Sequence, residues 1–306
     1  MTALITGGTG LLGRKLLTEL PDATVLSRDP DRAQRALRSV MVHGWEPEAG
    51  PVPAEALRGV DVVFNLAGDP VARGRWTTAK KRRIRDSRVV GTRNLVAALA
   101  VASRRPQVLV SASAVGLYGD QGDRECTEDS PSGEGFLADV CREWEREALA
   151  AEDLGVRVVC ARIGIVLARG GGALAQMLAP FKLGVGGRLG SGKQWMPWIH
   201  VNDVVGLLRH AARTVSIRGP LNVVAPAPAT NVDFTHELAR VLRRPAVLPV
   251  PRAALRLAFG EMSEILLASQ RVVPQGAERS GYAFQHPDLR GALEAVLSAS
   301  SPGVAP

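Results

Sequence analysis

Three glycines, Gly7, Gly10 and Gly13, stand three residues apart in "ITGGTGLLG", directly after the first apolar run of the chain. That spacing has a chemistry. The first glycine lets the chain turn, the second lets backbone approach a pyrophosphate, and the third lets the next helix pack close to a sheet. The helix that follows offers unpaired N–H groups and the positive end of its dipole to phosphate oxygens. Residues 7–13, with Thr9, Leu11 and Leu12 among them, are a candidate dinucleotide site.

The end of the second apolar run reads "VLSRDPDR". A carboxylate there would bind the adenosine ribose hydroxyls and select NAD. Ser27 and Arg28 stand there instead. A hydroxyl and a guanidinium suit a 2′-phosphate, which a carboxylate repels, so the expected cofactor is NADP(H). Asp29 follows, and pairing with Arg28 or capping the next helix are its other uses. "NLAG", covering Asn65, Leu66, Ala67 and Gly68, ends a later apolar run with small residues across which an adenosine could lie.

These segments need elements to hold them. Residues 3–6, 23–27, 60–68, 107–113 and 156–164 are short runs rich in Val, Ile and Leu, and 39–44 is a weaker one. They lack strict alternation, as strands of a parallel sheet covered on both faces do. Amphipathic stretches lie between, among them "RVVGTRNLVAALAVAS" and "ADVCREWEREALAAEDLG". This alternation predicts a doubly wound α/β sheet of Rossmann type. After Gly170 the chain turns glycine-rich, then mainly helical with proline joints. The expected division is a dinucleotide-binding domain over 1–170, a smaller helical lobe over 171–298 with segments returning to the sheet, and a flexible tail over 299–306.

Composition narrows the classes. The 306 residues carry a formal charge of +8, and the densest basic run, "KKRRIRDSR", reads as a solvated helix face. Aromatic content of 4% argues against base stacking on single-stranded nucleic acid. No recognition-helix module stands out, so no nucleic-acid partner is expected. Three scattered cysteines and five histidines without ligand spacing predict neither a disulfide framework nor a metal site. No apolar run reaches the roughly 20 residues of a membrane helix and no signal peptide is visible, which points to the cytoplasm.

"TGGTGLLG", "DVVFNLAG", "RVVGTRNLV", "VLVSASAVGLYGD" and "WIHVNDVV" resemble the extended short-chain dehydrogenase/reductases, the group of the nucleotide-sugar epimerases and dehydratases. "SRVVGT", "EDSPSG", "RIGIVLARGGGAL" and "GSGKQWMPWIHVNDVV" resemble more narrowly its atypical subfamily 39U, over residues 1–297. The resemblance implies cofactor contacts at 7–13, at Ser27 and Arg28, and at Asn65, Leu66, Ala67 and Gly68. It adds Arg88, Ser111 and Ala112, and Gly164 and Val166 near the nicotinamide. It implies a substrate-orienting serine at Ser113.

The same resemblance implies a tyrosine and, four residues on, a lysine in the helix before Val156. Leu137 and Cys141 occupy those positions, and a shift by one offers only Phe136. Leucine cannot transfer a proton. Tyr118, in the turn after Ser113, is a candidate donor, with a structural role as its alternative. The segment with Gln194, Trp195, Trp198 and His200 is the candidate substrate wall; there the tryptophans also suit anchoring one lobe on the other, and His200 is the other candidate proton donor, with a structural role as its alternative. Asp203 reads as a helix cap or first-turn residue. The expected activity is an NADP(H)-dependent oxidoreductase or epimerase-like reaction on a carbonyl or hydroxyl substrate. The alternative is a non-catalytic NADP(H) sensor or scaffold.

Overall fold

A computed structural model describes residues 1–38 and 40–298. The tail expected over 299–306, and Ser39 of the weaker run, lie outside the described residues. Seven strands form one parallel sheet: β1 (Ala3–Thr6), β2 (Thr24–Ser27), β3 (Val42–Gly44), β4 (Val62–Asn65), β5 (Val108–Ala114), β6 (Arg157–Ile163) and β7 (Gly219–Val223). Their order across the sheet is β7-β6-β5-β4-β1-β2-β3, with every pairing parallel. This is the Rossmann-type doubly wound arrangement, and the chain reverses direction of travel between β1 and β4.

The unbroken apolar runs have a simple origin. Leu4, Leu26, Val63, Leu109 and Val158 feed the core on one face; Ile5, Val25, Phe64, Val110 and Val159 feed the other. Successive side chains of a strand point to opposite faces, so a sheet buried on both sides has no polar position to alternate with. Each fully buried Val, Leu or Ile contributes about 1.5–3 kcal/mol relative to exposure.

Helix α1 (Leu11–Leu17) follows β1, and α2 (Pro30–Leu37) follows β2. Helix α3 (Thr78–Ala100) is longer than the apolar pattern predicts, because the basic run is its first half. The Thr77 side chain accepts from the Lys80 N–H and starts it. Lys80 is not solvated: it is buried and paired with Asp69. Helix α4 (Phe136–Leu149) buries Cys141, Trp144, Glu145 and Ala148, at the spacing of one helix face.

The smaller lobe is built from α5 (Gly172–Lys182), α7 (Asn231–Leu242) and α8 (Leu289–Ser298) around Trp198, Phe181, Phe234 and Leu293. Between α5 and α7, helix α6 (Val201–Arg213) packs its Val205, Leu208 and Ala212 into the core of the main sheet. Strand β7 also returns to that sheet. No helix among the described residues is long and apolar enough to cross a membrane.

Candidate functional site

Two of the three loop glycines are required by the backbone around them. Gly7 has a φ of +72°, and a Cβ there would stand 2.8 Å from the Leu66 carbonyl oxygen. A Cβ at Gly13 would stand 2.3 Å from the Gly7 carbonyl oxygen. Both positions exclude side chains for structural reasons. Gly10 caps α1, and a Cβ there would meet one protein atom, the Gly7 oxygen at 3.2 Å. Thr9 and Gly10 are exposed at the turn, whereas Leu11 and Leu12 are partly buried, Leu12 against the core of the main sheet.

At the end of β2, Asp29 is committed to the helix that follows. Its Oδ1 accepts from the Arg32 N–H at 2.9 Å and caps α2. Ser27 Oγ donates to the Asp29 carbonyl at 3.0 Å and accepts from the Asp29 N–H at 3.2 Å. Arg28 is exposed, and among the described residues no carboxylate pairs with it. Of the two uses left open for Asp29, the capping one is realised.

Asn65 and Ser111 face inward. Thr6 Oγ1 donates to Asn65 Oδ1 at 2.8 Å and accepts from the Leu66 and Ala67 N–H groups, while Asn65 Nδ2 donates to Thr92 and Ser111. This network ties the ends of β1, β4 and β5 to α3, and it commits both side chains to protein partners. A Cβ at Gly164 would stand 2.2 Å from the Pro197 oxygen, so that glycine serves a close backbone contact. Val166 lies in the short strand Ile165–Leu167, which pairs with Trp198–His200.

A cavity of about 210 Å³ opens beside Leu66, at the carboxyl ends of the strands. Ala112, Ser113, Arg88, Leu137, Cys141 and Trp144 line it. Ligands of open α/β sheets bind at this end. A larger open depression of about 710 Å³ lies at the opposite strand ends, around Asp61, Gln107 and Arg157, and holds none of the expected site residues.

Arg88 brings its charge into the cavity. Its Nη1 donates to the Asp69 and Ile84 carbonyls, each at 3.0 Å, and its guanidinium lies 5.2 Å from the Trp144 ring centre. A Cβ on Gly68 would touch Arg88 Cζ at 2.8 Å, so Gly68 makes room for the arginine. Burial lowers the Arg88 pKa, opposed by Cys141 and Asp69. Among the described residues no carboxylate pairs with it. Cys141, at the lysine position, carries no charge to replace: burial pushes its thiol up to about 11.

Ser113 is buried, and its hydroxyl donates to Glu145 Oε1 at 2.6 Å. Glu145 in turn accepts from Arg162 Nε and Nη2, both at 2.9 Å. Burial works against the Arg162 charge, but the Glu145 carboxylate outweighs it and raises the Arg162 pKa. Arg162 Nη1 donates onward to the Tyr118 hydroxyl at 2.9 Å. Sequence reasoning overlooks this pair, although an arginine inside the apolar run "VRVVCARIG" was its signal.

Tyr118 is not brought to the cavity. It is fully buried, its hydroxyl 2.7 Å from Asn222 Oδ1 and 3.0 Å from the Thr127 carbonyl, and burial pushes its pKa up to about 12. It serves the network rather than presenting a proton. The proposed substrate wall is also elsewhere, because its polar groups bind protein. Gln194 Nε2 donates to the Leu189 and Leu266 carbonyls at 3.1 Å. The Trp195 indole donates to Asp123 and stacks with Arg271. Trp198 is buried and donates to the Ala227 carbonyl. His200 caps α6 through Nδ1, accepting from the Asn202 N–H, with its ring 3.7 Å from that of His286. Asp203, in the first turn, accepts from the Gln285 and His286 N–H groups and the Tyr282 hydroxyl.

The seven-stranded parallel sheet and its glycine loop define a nucleotide-binding protein of the short-chain dehydrogenase/reductase type. Residues 3–223 match the NAD dependent epimerase/dehydratase family, and the chain belongs to that family. Residues 250–296 match a further segment described as a domain of unknown function, DUF1731. The chain is 43% identical over 292 residues to epimerase family protein Mb2239 of Mycobacterium bovis, covering 94% of this chain and 95% of that one. It is 38% identical to epimerase family protein YfhF of Bacillus subtilis, covering 97% and 98%. The crystal structure of human epimerase family protein SDR39U1 (isoform 2) with NADPH superposes with a TM-score of 0.87 at 35% identity, covering 98% of this chain and 100% of that one.

Proposed function

We propose that this chain binds NADP(H) and acts as an oxidoreductase or epimerase-like enzyme on a small carbonyl or hydroxyl substrate, without the tyrosine–lysine pair. One observation carries the reading: Leu66, whose carbonyl backs Gly7, also lines the cavity that holds Ser113 and Arg88. This adjacency supports a reading in which a dinucleotide held by the loop would extend its reactive end toward that cavity. The choice of NADP(H) rests on Ser27 and Arg28, on the commitment of Asp29 to α2, and on the NADPH in the human relative.

A bound nicotinamide supplies hydride transfer. Each residue has a separate task. The loop amides and the start of α1 hold the pyrophosphate. Ser27 and Arg28 hold the 2′-phosphate. Arg88 supplies from α3 the positive charge that α4 lacks at Cys141. Leu66, Leu137 and Trp144 exclude water, which strengthens every polar contact inside. Ser113 orients the substrate oxygen.

Turnover of NADP⁺ or NADPH with members of a panel of alcohols and carbonyls is the expected result, with Ser113→Ala slowing oxidation of the alcohols at least about tenfold. A panel without turnover would contradict catalysis. It would instead favour a second reading, a non-catalytic NADP(H) sensor, which Leu137 and Cys141 support. That reading expects a protein partner whose affinity changes with cofactor.

A further inference from the structure

Ser113 has two side-chain partners on α4, the Glu145 carboxylate and the buried Cys141 thiol. The hydroxyl has a single proton, and that proton is directed at Glu145 Oε1 at 2.6 Å. Glu145 cannot return one, because both its oxygens are engaged by Arg162 as an ion pair. Toward the cavity, Ser113 offers lone pairs. Cys141, the other polar neighbour on α4, keeps its own proton at neutral pH. Arg88 is the reverse: a guanidinium can only donate, and its Nε and Nη2 have no partner among the described residues. The remaining walls are apolar.

We infer that Glu145 is a positioning residue that fixes Ser113 as a hydrogen-bond acceptor, so that the cavity selects ligands bearing a hydroxyl over the matching carbonyl compounds. The inference rests on the oxidoreductase reading above and names the half of the substrate pair that the resting site binds better. A ligand hydroxyl donates to Ser113 and has lone pairs for Arg88. A carbonyl oxygen finds only Arg88, and beside Ser113 it sets two acceptors against each other. Ser113 acts by direct contact with the ligand; Glu145 acts only through Ser113, and Arg162 holds Glu145.

The test is calorimetric titration of the NADP⁺ complex with cyclohexanol and with cyclohexanone, an apolar pair differing in hydrogen-bond polarity. Cyclohexanol is expected to bind about five- to tenfold more tightly, the worth of one buried hydrogen bond. Ser113→Ala should bring the ratio to about one, and Ser113→Thr, which keeps a hydroxyl, should preserve it. Glu145→Gln should shrink the ratio, because an amide can donate to Ser113 and free its proton. If that variant does not fold, the two Ser113 variants decide alone. Equal affinities, a preference for cyclohexanone, or binding of neither probe by the wild type would overturn the inference. NADP⁺ affinity, measured on the same samples, separates the two readings. Lost cofactor binding contradicts the oxidoreductase reading, whereas intact cofactor binding without alcohol preference contradicts this inference alone.

Discussion

The hydroxyl of Ser113 and the carboxylate of Glu145 show how much one buried pair determines. Glu145 and Arg162 are each about nine-tenths buried and joined by two parallel bonds. Removing one partner leaves the other as an uncompensated charge in the core. Glu145→Ala should therefore lower unfolding stability by about 3–5 kcal/mol in denaturant titrations. A loss below about 1 kcal/mol, the scale of a surface pair, would contradict the pairing. Tyr118 belongs to the same set. Its phenol was the one hydroxyl near Ser113 that sequence could offer as a proton donor, and its commitment to Asn222 and Arg162 depends on contacts 104 and 44 residues away. Sequence distance hides such partners, whereas the loop 7–13 is legible because all its parts are neighbours.

At the scale of elements, the sheet was legible where strands are central and apolar on both faces. β7 was not, because Pro220 and Asn222 interrupt "GPLNV" and it joins the sheet after a long excursion through the smaller lobe. The first half of α3 was hidden for a related reason: "TAKKRRIRDSR" has no apolar period, and tertiary contacts at Lys80 and Ile84 hold it helical. Helices α3 and α4 meet across the cavity, where Leu137 lines the wall and Phe136 packs against Trp76 at 5.1 Å. Arg88 on α3 occupies the neighbourhood of Cys141 on α4. Restoring the family's lysine would thus bury two cations together. Cys141→Lys should lower the melting temperature, and Arg88→Met in the same chain should recover part of the loss. Strictly additive losses would show that the two helices do not share one charge position.

The whole molecule is held together at the start of α6. His200 caps that helix, and the Asp203 carboxylate fastens residues 282–286 onto it, joining the last part of the chain to the sheet. Burial, with His286 and Lys15 nearby, lowers the His200 pKa from 6.5 to about 4. A histidine with a depressed folded pKa stabilises the fold fully above its unfolded pKa. Below pH 6.5 the unfolded chain takes up a proton that the folded chain refuses. Stability should fall as pH falls from about 6.5 to about 4, by at most about 3 kcal/mol from this group. His200→Asn keeps a capping acceptor and removes the titration, so its stability should change less across that window. Identical pH profiles for the two proteins would rule out this role.

In the proposed function NADP(H) would lie along the carboxyl edge of the sheet, from the end of β2 to the cavity beside β5. The most direct test is fluorescence titration of the wild type and Arg28→Asp with NADPH and NADH. The wild type should bind NADPH at least about tenfold more tightly than NADH, and Arg28→Asp should abolish most of that preference by weakening NADPH alone. A wild type that binds both equally, or a variant with unchanged selectivity, would contradict a 2′-phosphate site at Ser27 and Arg28.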